Sequence, residues 1–319
     1  MLQDAVLEQR RVRVAAIRTA AIDTLSFDLV AADRRPLKPF PPGAHIDVHV
    51  PNGLVRQYSL CGDPRDTSRY TIAVKRELAG RGGSRSMHED VEEGTPLGIL
   101  DPRNHFPLAQ DAAHSLFIAG GIGITPICAM IRNLHAEGRS WELHYCARSA
   151  AHAAFYPELV ALGDKRVTPW FSEQPLLDPR TLLREVSPGT HVYCCGPSGL
   201  MTAVKDAAYH WPQDHIHFEY FAAPAHTEAP NRAFMVELRK SGLVFEVAPE
   251  CTLLQAVREH GIDVASSCEE GVCGTCETRV LEGECQHRDV LLSEAERAAN
   301  TSMMICVSRA MSPRIVLDL

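Results

Sequence analysis

Four cysteines limit what this chain can become more than any other feature. Cys268, Cys273 and Cys276 fall within nine residues, and Cys306 follows thirty positions later. Thiols at these short spacings converge only if the loop between them turns tightly. Gly271 and Gly274 permit that turn and let backbone N–H groups point at sulfur. The spacing is that of plant-type [2Fe–2S] centres, in which four thiolates hold two irons at a potential of roughly −400 mV. A zinc site is the alternative, but zinc sites usually use paired C-x2-C units. Here Cys306 stands alone in the strand-like run 303–307. Cys285 lies between the third and fourth candidates; residues 283–286 read as a turn, so it is expected to be non-ligating.

Eleven cysteines in 319 residues, with no apolar run in residues 1–13, suggest a reducing compartment, the cytoplasm by default. No stretch approaches the roughly 18 apolar residues of a membrane span. The net charge of −8 argues against nucleic acid as a partner. That charge is uneven: residues 233–319 carry fourteen acidic and eight basic side chains, while the other 232 residues sum to −2.

The hydrophobic pattern changes twice along the chain. Val12-Arg13-Val14, residues 46–50 and residues 70–74 alternate or run apolar between prolines and glycines, predicting a small antiparallel β-barrel over 1–108. In 109–223 the apolar runs 115–119, 141–146 and 191–195 alternate with helix-like stretches 126–136 and 197–209, predicting an α/β parallel sheet. Residues 224–232, with two prolines nearby and no periodicity, read as a linker. In 233–319 a hairpin about Lys240-Ser241-Gly242 precedes a helix ending at His260-Gly261.

Each of the first two segments carries anion-binding features. Arg56-Gln57-Tyr58-Ser59 offers a guanidinium fork for phosphate, a flat ring and a hydroxyl. Ala73-Val74-Lys75 leads to Gly82-Gly83-Ser84 at a helix start, where N–H groups and the dipole favour an anion, although a simple helix start would look the same. The first group resembles the Arg-x-Tyr-Ser signature of the ferredoxin-reductase flavin domain. One phosphate position, with no aromatic placed for an adenine, favours FMN over FAD. In the second segment Gly120-Gly121-Ile122-Gly123-Ile124-Thr125-Pro126 follows a strand and opens a helix, as a pyrophosphate cradle does. Cys195-Gly196-Pro197 repeats the strand–turn–helix pattern and resembles the nicotinamide-facing motif of the same reductases.

Taken together, residues 56–60, 74–84, 119–126, 195–197, 268–276, 282–296 and 303–310 resemble the phthalate dioxygenase reductase family, which includes vanillate O-demethylase reductases. The resemblance implies a multidomain fold: flavin barrel, α/β NAD domain and α+β ferredoxin (β-grasp) domain. It also implies hydride transfer from NADH to FMN, then single electrons through a [2Fe–2S] cluster to a Rieske-type oxygenase. The cluster ligands would be Cys268, Cys273, Cys276 and Cys306. NAD would lie on Gly121, Gly123, Cys195, Gly196 and Pro197. Arg148 would meet the adenosine ribose; Arg148-Ser149 also suits a 2′-phosphate, so NADH is favoured by the resemblance alone. Thr125 would hydrogen-bond at the reacting edge beside Cys195. Phe221 would cover the flavin, unless residues 218–221 are simply an edge strand. Other acceptors, a carnitine-type monooxygenase or a P450, and a redox-sensing module without turnover are the competing readings. A monomer is expected.

Overall fold

The computed structural model describes residues 9–173, 175–221 and 231–319, which form two compact units, Met1–Glu219 and Tyr220–Leu319. Residues 224–230 of the expected linker lie outside the described residues.

The first unit begins with six antiparallel strands: β1 (Arg10–Ala21), β2 (Thr24–Ala31), β3 (His45–His49), β4 (Val55–Ser59), β5 (Tyr70–Lys75) and β6 (Pro96–Ile99). In β1 the Val12-Arg13-Val14 alternation puts both valines inside and Arg13 outside. The sheet order is β4-β3-β6-β1-β2-β5. Beyond β4, Leu60 bridges to Ile72 and Cys61 N–H donates to Thr71 O at 2.9 Å, which closes the sheet into a barrel. Helix α1 (Gly83–Glu89) seats Met87 in the barrel core beside Leu60 and Ile72. Full burial of a side chain of that size stabilises by about 1.5–3 kcal/mol.

A parallel sheet follows: β7 (His114–Gly120), β8 (Ser140–Ala147), β9 (Val167–Phe171), β10 (Thr190–Cys195) and β11 (Ile216–Glu219), ordered β11-β10-β7-β8-β9. Helices α2 (Ile124–Ala136), α3 (Tyr156–Gly163), α4 (Pro179–Leu182) and α5 (Ser198–Ala207) connect the strands. β7 is buried on both faces, hence its continuous apolar run. β9 escaped the sequence reading because Pro169 interrupts it; as an edge strand, paired only with β8, it tolerates a missing N–H. From β7 the chain winds outward to β9, then returns to β10 on the other side. The crevice at the carboxyl ends of β7 and β10 is therefore the switch point where such sheets bind ligands. Ala21, Cys61 and Ala73 of the barrel share one core with Phe117 and Tyr145 of the sheet and Ile127 of α2.

The second unit is a β-grasp. Its strands are β12 (Phe234–Leu238), β13 (Leu243–Val247), β14 (Glu277–Glu282), β15 (Cys285–Gln286), β16 (Ser302–Met304), β17 (Arg309–Ala310) and β18 (Arg314–Leu317). The order β13-β12-β18-β14-β16 is mixed, with β12 parallel to β18. Helix α6 (Leu253–Glu259) starts with a reciprocal Thr252–Gln255 capping box, and α7 (Glu294–Ala299) with a Ser293–Glu296 one. Two local expectations need correction. β16 stops at Met304, so Cys306 sits in the turn after it rather than in a strand. Cys285 lies on β15, opposite Ala310, with its Sγ 3.9 Å from Met303 Sδ. The turn is at Gly283, at φ +99°, two residues earlier.

Candidate functional site

The tight loop 268–276 and the turn after β16 bring the four predicted thiols together, all buried. Cys268 contacts Cys273 and Cys306, and Cys306 also contacts Cys276. The hydrogen bond from Cys273, then that from Cys306, holds Cys268 down to about 2; the Glu270 and Val272 amides add to this. Glu270 N–H donates to Cys268 Sγ at 3.3 Å. Cys276 is lowered chiefly by Cys306. The same contacts that lower Cys268 and Cys276 raise Cys273 and Cys306, so the four sulfurs share their protons as one group; converging sulfurs with inward amides are what a thiolate-bound metal centre requires. Among the described residues no group of three or more His, Cys, Asp or Glu is arranged for a single metal ion. Four buried thiols converging at this spacing suit two irons, and the set fits a [2Fe–2S] cluster better than zinc. Cys285 is apart from this chemistry, its thiol pushed up to about 11 by burial.

In the barrel, Arg56 and Tyr58 of β4 face one side of the strand. Gly83 lies directly over Arg56: a Cβ there would stand 2.6 Å from Arg56 Nε. Gly82, at φ +92°, begins α1, and Ser84 Oγ accepts from Glu77 N–H at 3.0 Å. The Tyr58 hydroxyl is buried with no hydrogen-bond partner among the described residues. A buried hydroxyl awaiting a partner, next to a guanidinium under a glycine, fits a bound FMN. Gln57 turns the other way, its amide donating to Asp47 at 2.9 Å. Ser59, Ala73 and Val74 are buried. Phe221 is exposed.

At the carboxyl edge of the parallel sheet two glycine turns press backbone on backbone. A Cβ on Gly123 would meet Cys195 O at 2.3 Å, and one on Gly196 would meet Gly120 N and Cα at 2.9 Å. Gly121 adopts φ +54°. Thr125 is buried and its hydroxyl donates to Ile122 O at 3.0 Å, tightening the turn from within. The turns open onto a cavity of about 500 Å³, walled by Gly120–Ile122, Arg148, Trp170, Pro197 and Leu200. Lys75, expected at the flavin, also lines this cavity and pairs with Glu77 at 2.7 Å.

Two functional candidates were not found by sequence reasoning. Trp170 lines the cavity, and its Nε1–H donates to His144 Nδ1 at 3.0 Å, with the two rings 6.0 Å apart. Burial lowers the His144 pKa, which keeps Nδ1 an acceptor and the indole in place. The second is Glu219, opposite Cys195 in the parallel register. Burial raises its carboxyl to about 8, and it in turn helps raise the Cys195 thiol, whose own burial is the larger cause. The only signal for either was an aromatic and an acid near strand ends.

The raised Glu219 carboxyl has a consequence for stability. Its folded value of about 8 lies above the ordinary 4.5, so between these the folded chain holds a proton that the unfolded chain has released. Stability then falls as pH rises through that window. Glu219→Gln is expected to gain in melting temperature relative to the parent from pH 5 to pH 8, with the gap level beyond. A gap independent of pH would rule the carboxyl out as its source.

Two family models match the chain. The model of the 2Fe-2S iron-sulfur cluster binding domain matches residues 236–311, and that of the oxidoreductase NAD-binding domain matches 117–206. The chain is 45% identical to phenoxybenzoate dioxygenase subunit beta of Ectopseudomonas oleovorans, covering 96% of each. It is similar to the crystal structure of phthalate dioxygenase reductase, described as modular for electron transfer from pyridine nucleotides to [2Fe–2S], with TM-score 0.76, 41% identity and 98% of each chain covered. It also resembles 41% of an intact type IV self-sufficient cytochrome P450 monooxygenase, with TM-score 0.87, 40% identity and 98% of this chain covered. With relatives this similar over its whole length, the chain belongs to the phthalate dioxygenase reductase family, NADH-dependent oxidoreductases that use FMN and a [2Fe–2S] cluster to pass electrons from NADH.

Proposed function

We propose that this chain is the reductase component of a Rieske-type oxygenase that dioxygenates or O-demethylates an aromatic substrate. The observation that carries the reading is one chain holding a glycine-built dinucleotide crevice together with a four-thiol centre. Bound FMN supplies the chemistry that accepts a hydride and releases electrons singly. The protein supplies placement. Gly121 and Gly123 hold the pyrophosphate, and Cys195, Gly196 and Pro197 face the nicotinamide. Arg148 meets the ribose and Trp170 lies under the adenine. Arg56, Tyr58, Ser59, the 73–75 and 82–84 backbones and the Gln57 main chain would hold FMN. Thr125 shapes the turn beside the reacting edge. Cys268, Cys273, Cys276 and Cys306 ligate the cluster.

The net −6 of residues 233–319 suits a basic docking patch on the oxygenase. Cysteines that serve as ligands and core residues rather than in disulfides suit the cytoplasm, and the chain would act as a monomer. Among the described residues no helix is long and apolar enough to cross a membrane. The likeness to part of a P450 monooxygenase favours a second reading, a haem acceptor. Reconstitution separates them. NADH-driven turnover is expected with a purified phthalate or vanillate Rieske oxygenase and is expected to fall as salt shortens the reach of charge, about 10 Å at 0.1 M. Turnover with a P450 and none with any Rieske component would replace the first reading by the second.

A further inference from the structure

The two stretches that supply the thiols are far apart in sequence, yet their sulfurs must be held at fixed spacing. One buried segment touches both. Val290 N–H donates to Gly271 O at 3.1 Å, inside the three-cysteine loop. Arg288 N–H donates to Ser308 Oγ at 3.1 Å, two residues beyond Cys306. Between them stands Asp289, whose carboxyl group is inaccessible to solvent. Its Oδ2 accepts from Leu291 N–H at 3.1 Å and Leu292 N–H at 2.9 Å, which locks the turn. Arg297 donates to the Asp289 carbonyl at 2.6 Å. The contact with the loop is close: a Cβ on Gly271, at φ +71°, would stand 3.1 Å from Asp289 Cα and 2.6 Å from Val307 Cγ2.

This segment is not an ordinary piece of core. Asp289 Oδ1 and both ring nitrogens of His287 are buried without hydrogen-bond partners among the described residues. The two side chains face each other with Nδ1 and Oδ1 3.8 Å apart. Polar groups left in this state cost stability, and an apolar turn would not incur the cost. Their presence needs a reason other than packing.

We propose that residues 287–290 form a brace that sets the distance between the three-cysteine loop and Cys306, with Asp289 as its positioning residue. The inference rests on the reading that the four thiols hold a [2Fe–2S] cluster. Asp289 does not touch iron; it acts by fixing the turn whose two backbone donors grip the loop and the Cys306 arm. Groups behind a metal's ligands typically alter metal retention about 10- to 100-fold when removed.

The test uses the full, cofactor-loaded chain. In Asp289→Ala the rate of iron loss to a chelator is expected to rise at least about tenfold. The electron paramagnetic resonance spectrum of the reduced cluster is expected to change shape, and its midpoint potential to shift. Asp289→Asn keeps an acceptor for the two amides and is expected to restore slow iron loss. Gly271→Ala presses on the same contact from the other side and is expected to reproduce the alanine phenotype. Reduction of the flavin by NADH, followed by its bleaching, serves as the folding control and is expected unchanged. Should Asp289→Ala fail to fold, the asparagine and Gly271→Ala proteins decide. Wild-type spectra, potential and iron-loss rate in both alanine variants, or in Gly271→Ala alone if Asp289→Ala is not obtained, overturn the brace. A parent protein with no [2Fe–2S] spectrum overturns the underlying reading instead.

Discussion

Cys306→Ser is expected to yield a protein that still oxidises NADH at its flavin but no longer passes electrons to cytochrome c. Cys306 is buried and sits where two thiol contacts meet, to Cys276 and to Cys268. A hydroxyl of similar size fits the same space but is a hard, weakly acidic ligand where the irons require thiolate. The three remaining thiols, Cys268, Cys273 and Cys276, are one too few to ligate both irons fully. The visible spectrum should therefore lose its iron–sulfur bands and keep those of the flavin. Cytochrome c reduction should drop to the background rate, while bleaching of the flavin by NADH continues. Cys285→Ser is the matched control. That thiol packs against Met303 on β15 and is held protonated by burial, so the cluster should survive its loss. A full iron–sulfur spectrum in Cys306→Ser, or an empty one in Cys285→Ser, would mean the ligand set has been misassigned.

Gly123→Ala is expected to damage the other half of the chemistry. Its new Cβ would stand 2.3 Å from Cys195 O, 2.5 Å from Cys195 C and 2.8 Å from Gly196 N. All three are backbone atoms, so no side chain can swing aside. The two turns must separate, and Cys195-Gly196-Pro197 moves away from the crevice. Forced overpacking of this kind costs about 1–3 kcal/mol of stability. A displacement of about 1 Å at a reacting centre can cost on the order of 10²-fold in rate. Stopped-flow reduction of the flavin by NADH should slow by that order, with the cluster's spectrum intact because it belongs to the other compact unit. Reduction at the parent rate would show that the contact between the turns has no bearing on hydride transfer.

The two substitutions illustrate what could be read before the fold was known. Cys268, Cys273 and Cys276 are close in sequence, and so are Gly120, Gly121 and Gly123. A short loop has few conformations, so residue type and spacing alone determined its chemistry. The same holds for the helix end at His260-Gly261 and the hairpin at Gly242. The segment pattern was equally legible, because alternation and apolar runs report local burial. Some strands escaped, among them β2, β6 and β14, and β9, which Pro169 hides.

Tertiary structure decided everything that depends on chain segments meeting from far apart. Nothing in the sequence of Gly83 says that it lies on Arg56, nor in Gly123 that it abuts Cys195. Cys285 looked like a turn residue because its partner strand at Ala310 is twenty-five positions away. Trp170 became a wall of the dinucleotide crevice only when β9 was laid beside β8 and met His144. Asp289 became the link between two cysteine-bearing stretches only when Gly271 and Ser308 closed on the same short segment. The sequence by itself determined which chemistries the chain carries, since ligand type and loop spacing are local. The tertiary structure alone decided which neighbours hold those groups in place, because burial, the perturbed acidity of Glu219 and the fit of a glycine depend on atoms the sequence does not place.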